Sequence, residues 1–296
     1  MTDNTIYCGG ALEVLKTFPD ESIHCCVTSP PYFGLRDYHS KGQLGLEKTP
    51  VKYVRALCEI LHEVKRVLRP DGTLWLNIGD NCAGSGTSRV KYMPEKTGWE
   101  GIKPKDMIGI PWMLAFALRG DGWYLRSDII WQKTNGMPEK IKDRPTKLYE
   151  HIFLLAKSKR YYYDADAVAE PVCQESIERA KRKKSRKSKY ENTFMYQSIH
   201  HAQANQQRKI RNKRDVWTLS TNAYRMDVHF AMYPEKLIEP CILAGCPAGG
   251  IVMDPFLGSG TTAAAAKRLG RRYIGIDINP DYCKAARVRV EAVKAG

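Results

Sequence analysis

The chain has 296 residues and a formal net charge of +15 at pH 7, a length that suits one large domain or one domain carrying a substantial insert. No apolar run reaches about 18 residues, and residues 1–10 lack the basic-then-apolar order of a secretory signal, so we expect a cytoplasmic protein with no membrane partner. The nine cysteines form neither a CxxC pair nor a Cys/His ligand set, which favours reduced thiols and argues against a metal site.

Alternating strand and helix patterns occupy residues 1–164, the first of three segments. Short apolar runs predict strands, and apolar residues at helical spacing predict the helices between them. The predicted strands are Ile6–Gly9, Ile23–Thr28, Thr73–Ile78, Tyr124–Trp131 and His151–Ala156, of which the last two can form a hairpin. The predicted helices are Ala11–Phe18, Val51–Leu68 and Pro111–Leu118, and a turn is predicted at Arg69–Gly72.

The second segment, residues 165–228, combines little apolar periodicity with concentrated positive charge. From Arg179 to Arg214 it holds thirteen Lys or Arg and a single acid, Glu191, whereas the rest of the chain is nearly neutral. A basic block inside an otherwise balanced chain is typical of a surface that docks a polyanion, although a solvated loop remains the simpler alternative. We interpret it as a basic insert that grips nucleic acid through Lys181, Arg182, Lys183, Lys184, Arg186, Arg208 and Arg211.

The third segment, residues 229–296, resumes the alternation. Strands joined by helices imply an α/β fold with a doubly wound, mostly parallel sheet, of which residues 1–164 and 229–296 form the two halves. The predicted helices are Pro234–Leu243, Thr261–Leu269 and Pro280–Ala292, and the predicted strands are Gly250–Asp254 and Arg272–Asp277.

A glycine-containing loop, Asp254–Thr262, follows one of these strands and precedes a helix. Gly258 and Gly260 allow close approach of the backbone to a ligand at the carboxyl end of the strand, where open α/β sheets bind ligands. Asp277 ends the next strand, where nucleoside-binding sheets hold a ribose diol. A dinucleotide dehydrogenase would share these features, and Ala263 at the last position of its glycine motif leaves that alternative open here.

A second motif, Thr28–Tyr32, has the sequence Thr-Ser-Pro-Pro-Tyr and follows the strand that begins at Ile23. Two successive prolines hold the backbone extended and direct the Ser29 hydroxyl and the Pro30 carbonyl, both hydrogen-bond acceptors. The exocyclic amine of cytosine or adenine is conjugated with its ring and is a poor nucleophile. Two acceptors for its hydrogens would free the nitrogen lone pair for attack on a sulfonium methyl, and Tyr32 would stack on a flipped base.

Together these residues resemble the amino-methylating DNA methyltransferases of the β arrangement, in which the target-amine motif precedes the S-adenosylmethionine motif. Thr28–Tyr32 matches the (D/N/S)PP(Y/F) motif of that family, Asp254–Gly260 matches its DPFxGxG motif, and Tyr233–Leu237 resembles the start of its cofactor-covering helix. The resemblance covers Ile6–Ala156 and His229–Val290, while the basic insert corresponds to the family's target recognition region in position only.

The resemblance implies a restriction-modification enzyme that uses S-adenosyl-L-methionine and acts on double-stranded DNA. The implied catalytic residues are Ser29, Pro30, Pro31 and Tyr32. The implied cofactor-binding residues are Thr28, Asp254, Phe256, Gly258, Gly260, Thr261, Thr262 and Asp277. Because the motifs fall at the ends of separate strands, Gly250–Asp254 and Ile23–Thr28 should be neighbours in the sheet.

The sequence leaves open both the target base and the residue that acts as general base. Serine before Pro-Pro favours cytosine N4 as the target, although adenine N6 enzymes also use it. Some serine-containing members place an acid at the tip of the following strand, where this chain has Asn77, so Asp80 becomes the candidate base.

Two alternative functions also compete with a DNA methyltransferase. A protein methyltransferase fits the basic insert less well, and a non-catalytic nucleic-acid-binding module leaves both motifs unexplained. The sequence also leaves open a homodimer and a cognate restriction endonuclease.

Overall fold

A computed structural model describes residues 1–84, 101–136, 138–175, 178, 210–221 and 233–294. Two compact units are present. One comprises residues 1–163 together with 215–296, and the other comprises residues 164–214. No helix within the described residues combines the length and apolar character that a membrane span requires.

The larger unit is built from strands and helices in close sequence alternation. Its strands are β1 (Thr5–Cys8), β2 (Ile23–Thr28), β3 (Leu68–Ile78), β4 (Tyr124–Lys133), β5 (Tyr149–Ala156), β8 (Val216–Leu219), β9 (Ile251–Asp254) and β10 (Arg272–Asp277). Its helices are α1 (Ala11–Leu15), α2 (Pro50–Val67), α3 (Ile110–Gly120), α4 (Glu235–Gly245), α5 (Thr261–Arg268) and α6 (Pro280–Glu291). The smaller unit contains β6 (Glu170–Pro171) and β7 (Ile210–Arg211).

The eight strands described in the larger unit form one sheet in the order β1-β10-β9-β2-β3-β5-β4-β8. The pairings from β1 through β3 are all parallel, β5 runs antiparallel to both β3 and β4, and β8 pairs parallel with β4. The predicted α/β class with a mostly parallel sheet is therefore confirmed. The predicted neighbourhood of β2 and β9 is also confirmed, since Cys25 pairs with Val252 and Cys26 with Met253.

Helices cover the sheet in two groups. Helix α2 contacts α1 and α3, whereas α5 contacts α4 and α6. Successive strand residues point to opposite faces, and β2 shows this directly. Cys26 belongs to the core formed with α2 and α3, while a side chain on Gly245 of α4 would meet Cys25 Sγ. The two groups therefore lie on opposite faces, as a doubly wound sheet requires.

Helix α2 illustrates why the sequence folds in this way. Thr49 caps its first turn by accepting a hydrogen bond from the Lys52 backbone N–H at 3.2 Å, and Pro50 occupies the position where proline is best tolerated. Its apolar residues recur every three or four positions and are buried: Tyr53, Leu57, Ile60, Leu61 and Val64. Each such residue contributes about 1.5 to 3 kcal/mol through burial of apolar surface.

Two predicted elements differ from the structure by more than two residues at one end. Helix α1 ends at Leu15, three residues before the predicted end. The predicted turn at Arg69–Gly72 lies inside β3, where Ile23 pairs with Leu68 and Cys25 with Thr73, so that the residues between bulge out of the ladder. Extra residues on one strand produce such a bulge without ending the strand.

The basic insert also differs at its carboxyl boundary. We predicted that it extends to residue 228, yet residues from Asp215 onward belong to the larger unit, where β8 is an edge strand. Four residues are too few to show periodicity, so only pairing with β4 identifies this strand. In the smaller unit Glu170 forms ion pairs with Arg211 and Arg214 at 3.4 and 2.9 Å. Lys181, Arg182, Lys183, Lys184, Arg186 and Arg208 lie outside the described residues.

Candidate active site

A cavity of about 1050 Å³ lies in the larger unit, where the carboxyl ends of β2, β9 and β10 meet. Its lining includes residues from both predicted motifs, which are more than 200 positions apart in the chain. The lining residues that we predicted are Ser29, Pro30, Pro31, Tyr32, Phe256, Gly258, Thr261 and Asp277. The fold therefore joins the two motifs in one cavity, as the predicted adjacency of their strands requires.

The glycine loop turns sharply between β9 and α5. Gly258 and Gly260 have φ values of +54° and +87°, a region that residues with a side chain rarely adopt. A Cβ on Gly260 would also lie 3.0 Å from the Ala286 Cα atom. Glycine at position 260 thus permits both the turn into α5 and its close packing on α6.

Asp277 lies at the tip of β10 and faces the cavity. Its two carboxylate oxygens accept hydrogen bonds of 2.8 Å from the backbone N–H groups of Gly258 and Asn279. Burial raises the pKa of Asp277 above its ordinary value, and these hydrogen bonds oppose that shift. Each oxygen keeps acceptor capacity, so the carboxylate can receive the two hydroxyls of a ribose.

The surroundings of Asp277 suit the nucleoside part of S-adenosylmethionine. Phe256, Ile278 and Tyr282 line the cavity beside the carboxylate, and the rings of Tyr38 and Tyr282 meet edge to face with centroids 6.3 Å apart. Aromatic and aliphatic walls next to a few oriented polar groups are what an adenosine requires. The residues present therefore fit this cofactor.

Asp254 supports the glycine loop from behind. It is 1% exposed, and its carboxylate accepts hydrogen bonds from the hydroxyls of Thr28, Thr262 and Tyr233 and from the Phe256 backbone N–H. Burial raises the pKa of Asp254 to about 6, and the donors limit the rise. A buried carboxylate without hydrogen-bond partners is energetically costly, so all four donors must stay close to Asp254. The carboxylate therefore holds the junction of β2, β9 and the glycine loop in one arrangement.

This arrangement separates the predicted cofactor-binding residues into two groups. Thr28, Asp254, Gly260 and Thr262 do not line the cavity as the structure describes it; they position the loop residues that do. Tyr233, which the sequence singled out only as the start of a covering helix, both lines the cavity and donates to Asp254. A tyrosine before a helix carries no local signal of such a contact.

The Ser-Pro-Pro-Tyr turn forms the opposite part of the cavity lining. Tyr53 on α2 donates a hydrogen bond of 2.7 Å to the Pro31 carbonyl, which fixes the turn from its buried side. Tyr32 donates to Glu150 Oε2 over 2.6 Å, with Asn77 Oδ1 as a longer second acceptor at 3.3 Å. Burial and the adjacent Glu150 carboxylate raise the pKa of Tyr32 well above its ordinary range.

Three polar residues that we did not predict as site residues gather around Tyr32. Glu150 on β5, Lys133 on β4 and Asn77 on β3 all line the cavity. Glu150 accepts hydrogen bonds from Asn77 Nδ2 at 3.2 Å and from the Lys133 ammonium group. Polar residues at the ends of hairpin strands look like solvent-facing positions in the sequence, and only the antiparallel pairing of β3, β5 and β4 brings them together.

Asp80, the candidate base suggested by the sequence, is placed elsewhere. Its carboxylate accepts hydrogen bonds of about 3 Å from the backbone N–H groups of Gly109 and Ile110, at the start of α3. Such N–H groups have no partner within the helix, and an acid stabilises them. Among the described residues Asp80 does not belong to the cavity lining, and its position indicates a structural role.

Arg289 ties the glycine loop to two helices. Although only 9% exposed, it donates to the hydroxyls of Ser259 and Thr261 at 3.3 and 2.9 Å. Its other terminal nitrogen donates to Glu235 at the start of α4 over 2.8 Å. Ser259 and Thr261 line the cavity, so this buried guanidinium positions two lining residues without touching the cavity itself.

No cluster of His, Cys, Asp or Glu suited to a metal ion occurs within the part of the chain that the structure describes. Asp277, the predicted ribose acceptor, lies at the tip of β10, and the Ser-Pro-Pro turn that we expect to accept the target amine lines the same cavity. This combination is typical of an α/β methyltransferase that acts on an amino group. Ligands of such sheets bind at the carboxyl ends of the strands, which is where this cavity lies.

Comparison with known proteins identifies the family. Residues 23–288 match the family of N6/N4 methyltransferases described as DNA methylase. The chain is 43% identical over 298 aligned residues to the type II methyltransferase M.Cfr9I of Citrobacter freundii, covering 97% of this chain and 87% of that protein. It is 40% identical to the type II methyltransferase M.SmaI of Serratia marcescens, covering 96% and 90% of the two proteins.

Solved structures show the same fold. The PvuII DNA methyltransferase, described as cytosine-N4-specific, superimposes with a TM-score of 0.67 at 20% identity, covering 98% of this chain and 86% of its own. A putative DNA modification methylase of Thermus thermophilus, in complex with S-adenosyl-L-methionine, has a TM-score of 0.61 at 26% identity, covering 96% and 93%. The chain belongs to the N6/N4 DNA methylase family, and it is an S-adenosylmethionine-dependent DNA amino-methyltransferase of the restriction-modification type.

Proposed function

We propose that this enzyme methylates the exocyclic N4 of cytosine in double-stranded DNA. The observation that carries the proposal is Ser29, which stands before Pro-Pro-Tyr and lines the same cavity as Asp277 and the glycine loop. Serine rather than aspartate at this position favours cytosine N4 by resemblance to the family. A neutral hydroxyl can still accept a hydrogen from the amine.

Different residues of the cavity bind the cofactor, the target amine and the flipped base. Asp277, Gly258 and Phe256 hold the cofactor, which supplies an electrophilic methyl group when bound. Ser29 Oγ and the Pro30 carbonyl accept the two hydrogens of the target amine, which frees its lone pair. The base must leave the duplex to reach this cavity, and Tyr32 offers a ring on which it stacks. Positioning both reactants in one cavity removes much of the entropic part of the barrier.

Identification of the methylated nucleoside tests this proposal. Unmodified double-stranded DNA is incubated with the enzyme and S-adenosylmethionine, digested to nucleosides and analysed by mass spectrometry. We expect N4-methyldeoxycytidine, and none with Ser29→Ala. N6-methyldeoxyadenosine would instead assign the enzyme to adenine, which is the alternative target, and the absence of any methylated nucleoside would refute the proposal.

We further infer that the basic insert, now bounded at residue 214, holds the DNA and that a restriction endonuclease with the same recognition sequence accompanies the enzyme. The thirteen Lys and Arg between Arg179 and Arg214 support the first inference, since phosphate neutralisation dominates DNA affinity. The names of the type II relatives support the second. Formation of a homodimer stays a prediction, measurable by sedimentation of the purified protein.

A further inference from the structure

The loop that joins β4 to β5, residues 134–148, leaves the sheet beside the cavity. Lys133 at the end of β4 and Glu150 near the start of β5 both line the cavity. Glu150 also accepts the hydrogen bond of the Tyr32 phenol at 2.6 Å, and Tyr32 is the ring on which we propose that the flipped base stacks. The loop therefore begins and ends next to the place assigned to that base.

Side-chain hydrogen bonds anchor both arms of this loop. On one arm, Asn135 Oδ1 accepts hydrogen bonds of 2.7 and 3.0 Å from the backbone N–H and the hydroxyl of Thr221, which lines the cavity. On the other arm, the Lys147 ammonium group donates to the Asp80 carbonyl at 3.3 Å. Because both arms are attached to the body of the larger unit, the loop presents its middle from a fixed base.

One apolar side chain lies between two cations at the tip of the loop, which comprises Lys140, Ile141 and Lys142. Ile141 is midway along the loop and 42% exposed, and both lysines are exposed as well. Covering an exposed isoleucine is favourable, and lysines attract phosphate. The tip therefore suits a partner that offers apolar surface between anionic groups.

The two acids of the loop, Glu139 and Asp143, pair with cations outside the tip. Glu139 pairs with Arg144 at 2.8 Å and closes the loop across the tip. Asp143 pairs with Lys105 at 3.0 Å, which ties the loop to the segment before α3. Since both acids have these partners, the charge of the two tip lysines is available to an anionic partner.

Extrusion of a base from the duplex leaves a gap that the tip can fill. The faces of the neighbouring base pairs become exposed, and proteins that distort DNA insert apolar side chains between base steps. We propose that Ile141 enters the duplex where the target base has left it, while Lys140 and Lys142 contact the phosphates on either side. The inference rests on the proposed methylation of an extruded base, but not on whether that base is cytosine or adenine.

Two duplexes that differ only in the pairing of the target base test this proposal. The methylated position is first mapped in plasmid DNA treated with the wild-type enzyme, and that sequence is synthesised with the target base either paired or opposite an abasic site. We expect Ile141→Ala to lower the single-turnover rate on the paired duplex by about tenfold. On the abasic duplex the loss should be no more than about twofold, because an unpaired base costs less to extrude.

Two further variants separate insertion from a general effect on the enzyme. Ile141→Leu keeps the apolar volume and should retain the wild-type rate on both duplexes. Val288→Ala truncates a side chain on α6 that is 59% exposed and does not belong to the described cavity lining, and it should also behave as wild type. An equal loss on both duplexes, or an unchanged rate of Ile141→Ala on the paired duplex, would overturn the inference.

The salt dependence of binding to the paired duplex tests the two tip lysines. Replacement of both Lys140 and Lys142 by alanine should flatten the slope by up to about two phosphate equivalents. Replacement of Lys16 and Lys284, which are exposed and do not belong to the described lining, changes the net charge equally and should leave the slope as in wild type. Equal slopes for the two double variants would refute the phosphate contacts.

The same measurements distinguish this inference from the proposed function. A wild-type enzyme that methylates no DNA would defeat both together. An active enzyme that Ile141→Ala leaves unchanged on the paired duplex would defeat this inference alone. Methylation of adenine would correct the target base and leave the insertion of Ile141 to be decided by the two duplexes.

Discussion

The Thr28 hydroxyl donates a hydrogen bond of 2.6 Å to the Asp254 carboxylate, which links two strand ends that lie 226 positions apart. Both residues are buried. Thr28 precedes the Ser-Pro-Pro turn and Asp254 precedes the glycine loop. This hydrogen bond therefore fixes the relative position of the two parts of the cavity that we propose for the target amine and the cofactor.

Removal of this hydroxyl should weaken the protein. Thr28→Val keeps the shape of the side chain but leaves the buried Asp254 carboxylate with one donor fewer. We expect a loss of about 1 to 3 kcal/mol in the free energy of unfolding at pH 7.5, measured by urea denaturation. Thr28→Ser retains the donor and serves as the control. Equal stability of the valine and serine variants would show that the hydrogen bond does not stabilise the junction.

Stability should also depend on pH through Asp254. Burial raises its pKa from the ordinary value of 3.8 to about 6 in the folded protein, so between these values the folded state binds more protons than the unfolded state. The free energy of unfolding should therefore fall as pH rises from about 4 to 6, by up to roughly 1.4 kcal/mol per pH unit from this group.

Asp254→Asn isolates that contribution, because Asp277 also has a raised pKa and shifts stability in the same direction. The hydroxyls of Tyr233 and Thr262 can turn to accept from an amide, so we expect the variant to fold. Urea denaturation at several pH values should show a flatter profile for Asp254→Asn than for wild type. Parallel profiles would mean that Asp254 is already ionised at pH 4.

Asp277 should control cofactor affinity. Asp277→Ala removes an acceptor for two ribose hydroxyls and is expected to weaken S-adenosylmethionine binding about 10- to 100-fold, or about 1.5 to 3 kcal/mol, by calorimetry. Asp281→Ala alters an exposed acid four residues away that does not belong to the described lining, and it should bind as wild type does. Unchanged affinity in a folded Asp277→Ala variant would contradict the ribose assignment.

Arg289 should affect the cofactor without touching the cavity. Arg289→Met removes the donors to Ser259 and Thr261, so we expect weaker S-adenosylmethionine binding by about tenfold together with a loss of about 1 to 3 kcal/mol in stability. Arg268→Met is the matched control, since Arg268 pairs with the same Glu235 carboxylate but is half exposed. If both variants bind the cofactor equally well, Arg289 does not position the loop.

The basic insert should determine how DNA affinity responds to salt. Each neutralised phosphate contributes a slope of about −0.9 to the logarithmic dependence of affinity on salt. Replacement of Lys181, Arg182, Lys183 and Lys184 by alanine should flatten that slope by up to about four phosphate equivalents and leave sequence preference largely intact, because phosphate contacts position the protein and base contacts specify the site. An unaltered slope in a filter-binding titration would place the DNA on another surface.

The sequence by itself determined the fold class and the family, and it identified eight of the residues that line the cavity. Strand β2 and strand β10 have the predicted bounds, because continuous apolar runs between turn residues are a local signal. The two motifs were recognisable for the same reason, since Pro-Pro and the glycines restrict or free the backbone wherever they occur. Ser29, Tyr32, Gly258 and Asp277 all line the cavity.

Tertiary structure alone decided which polar residues surround those motifs. Glu150, Lys133 and Asn77 come from three strands, and although the sequence predicted a hairpin of β4 and β5, it did not place β5 between β4 and β3. It also showed that Thr28 and Asp254, which we predicted as cofactor-binding residues, are buried and hydrogen-bonded to each other. Local sequence patterns indicate the backbone conformation that each residue favours. The hydrogen-bond partner of a buried polar group instead depends on which distant strand end the fold places next to it.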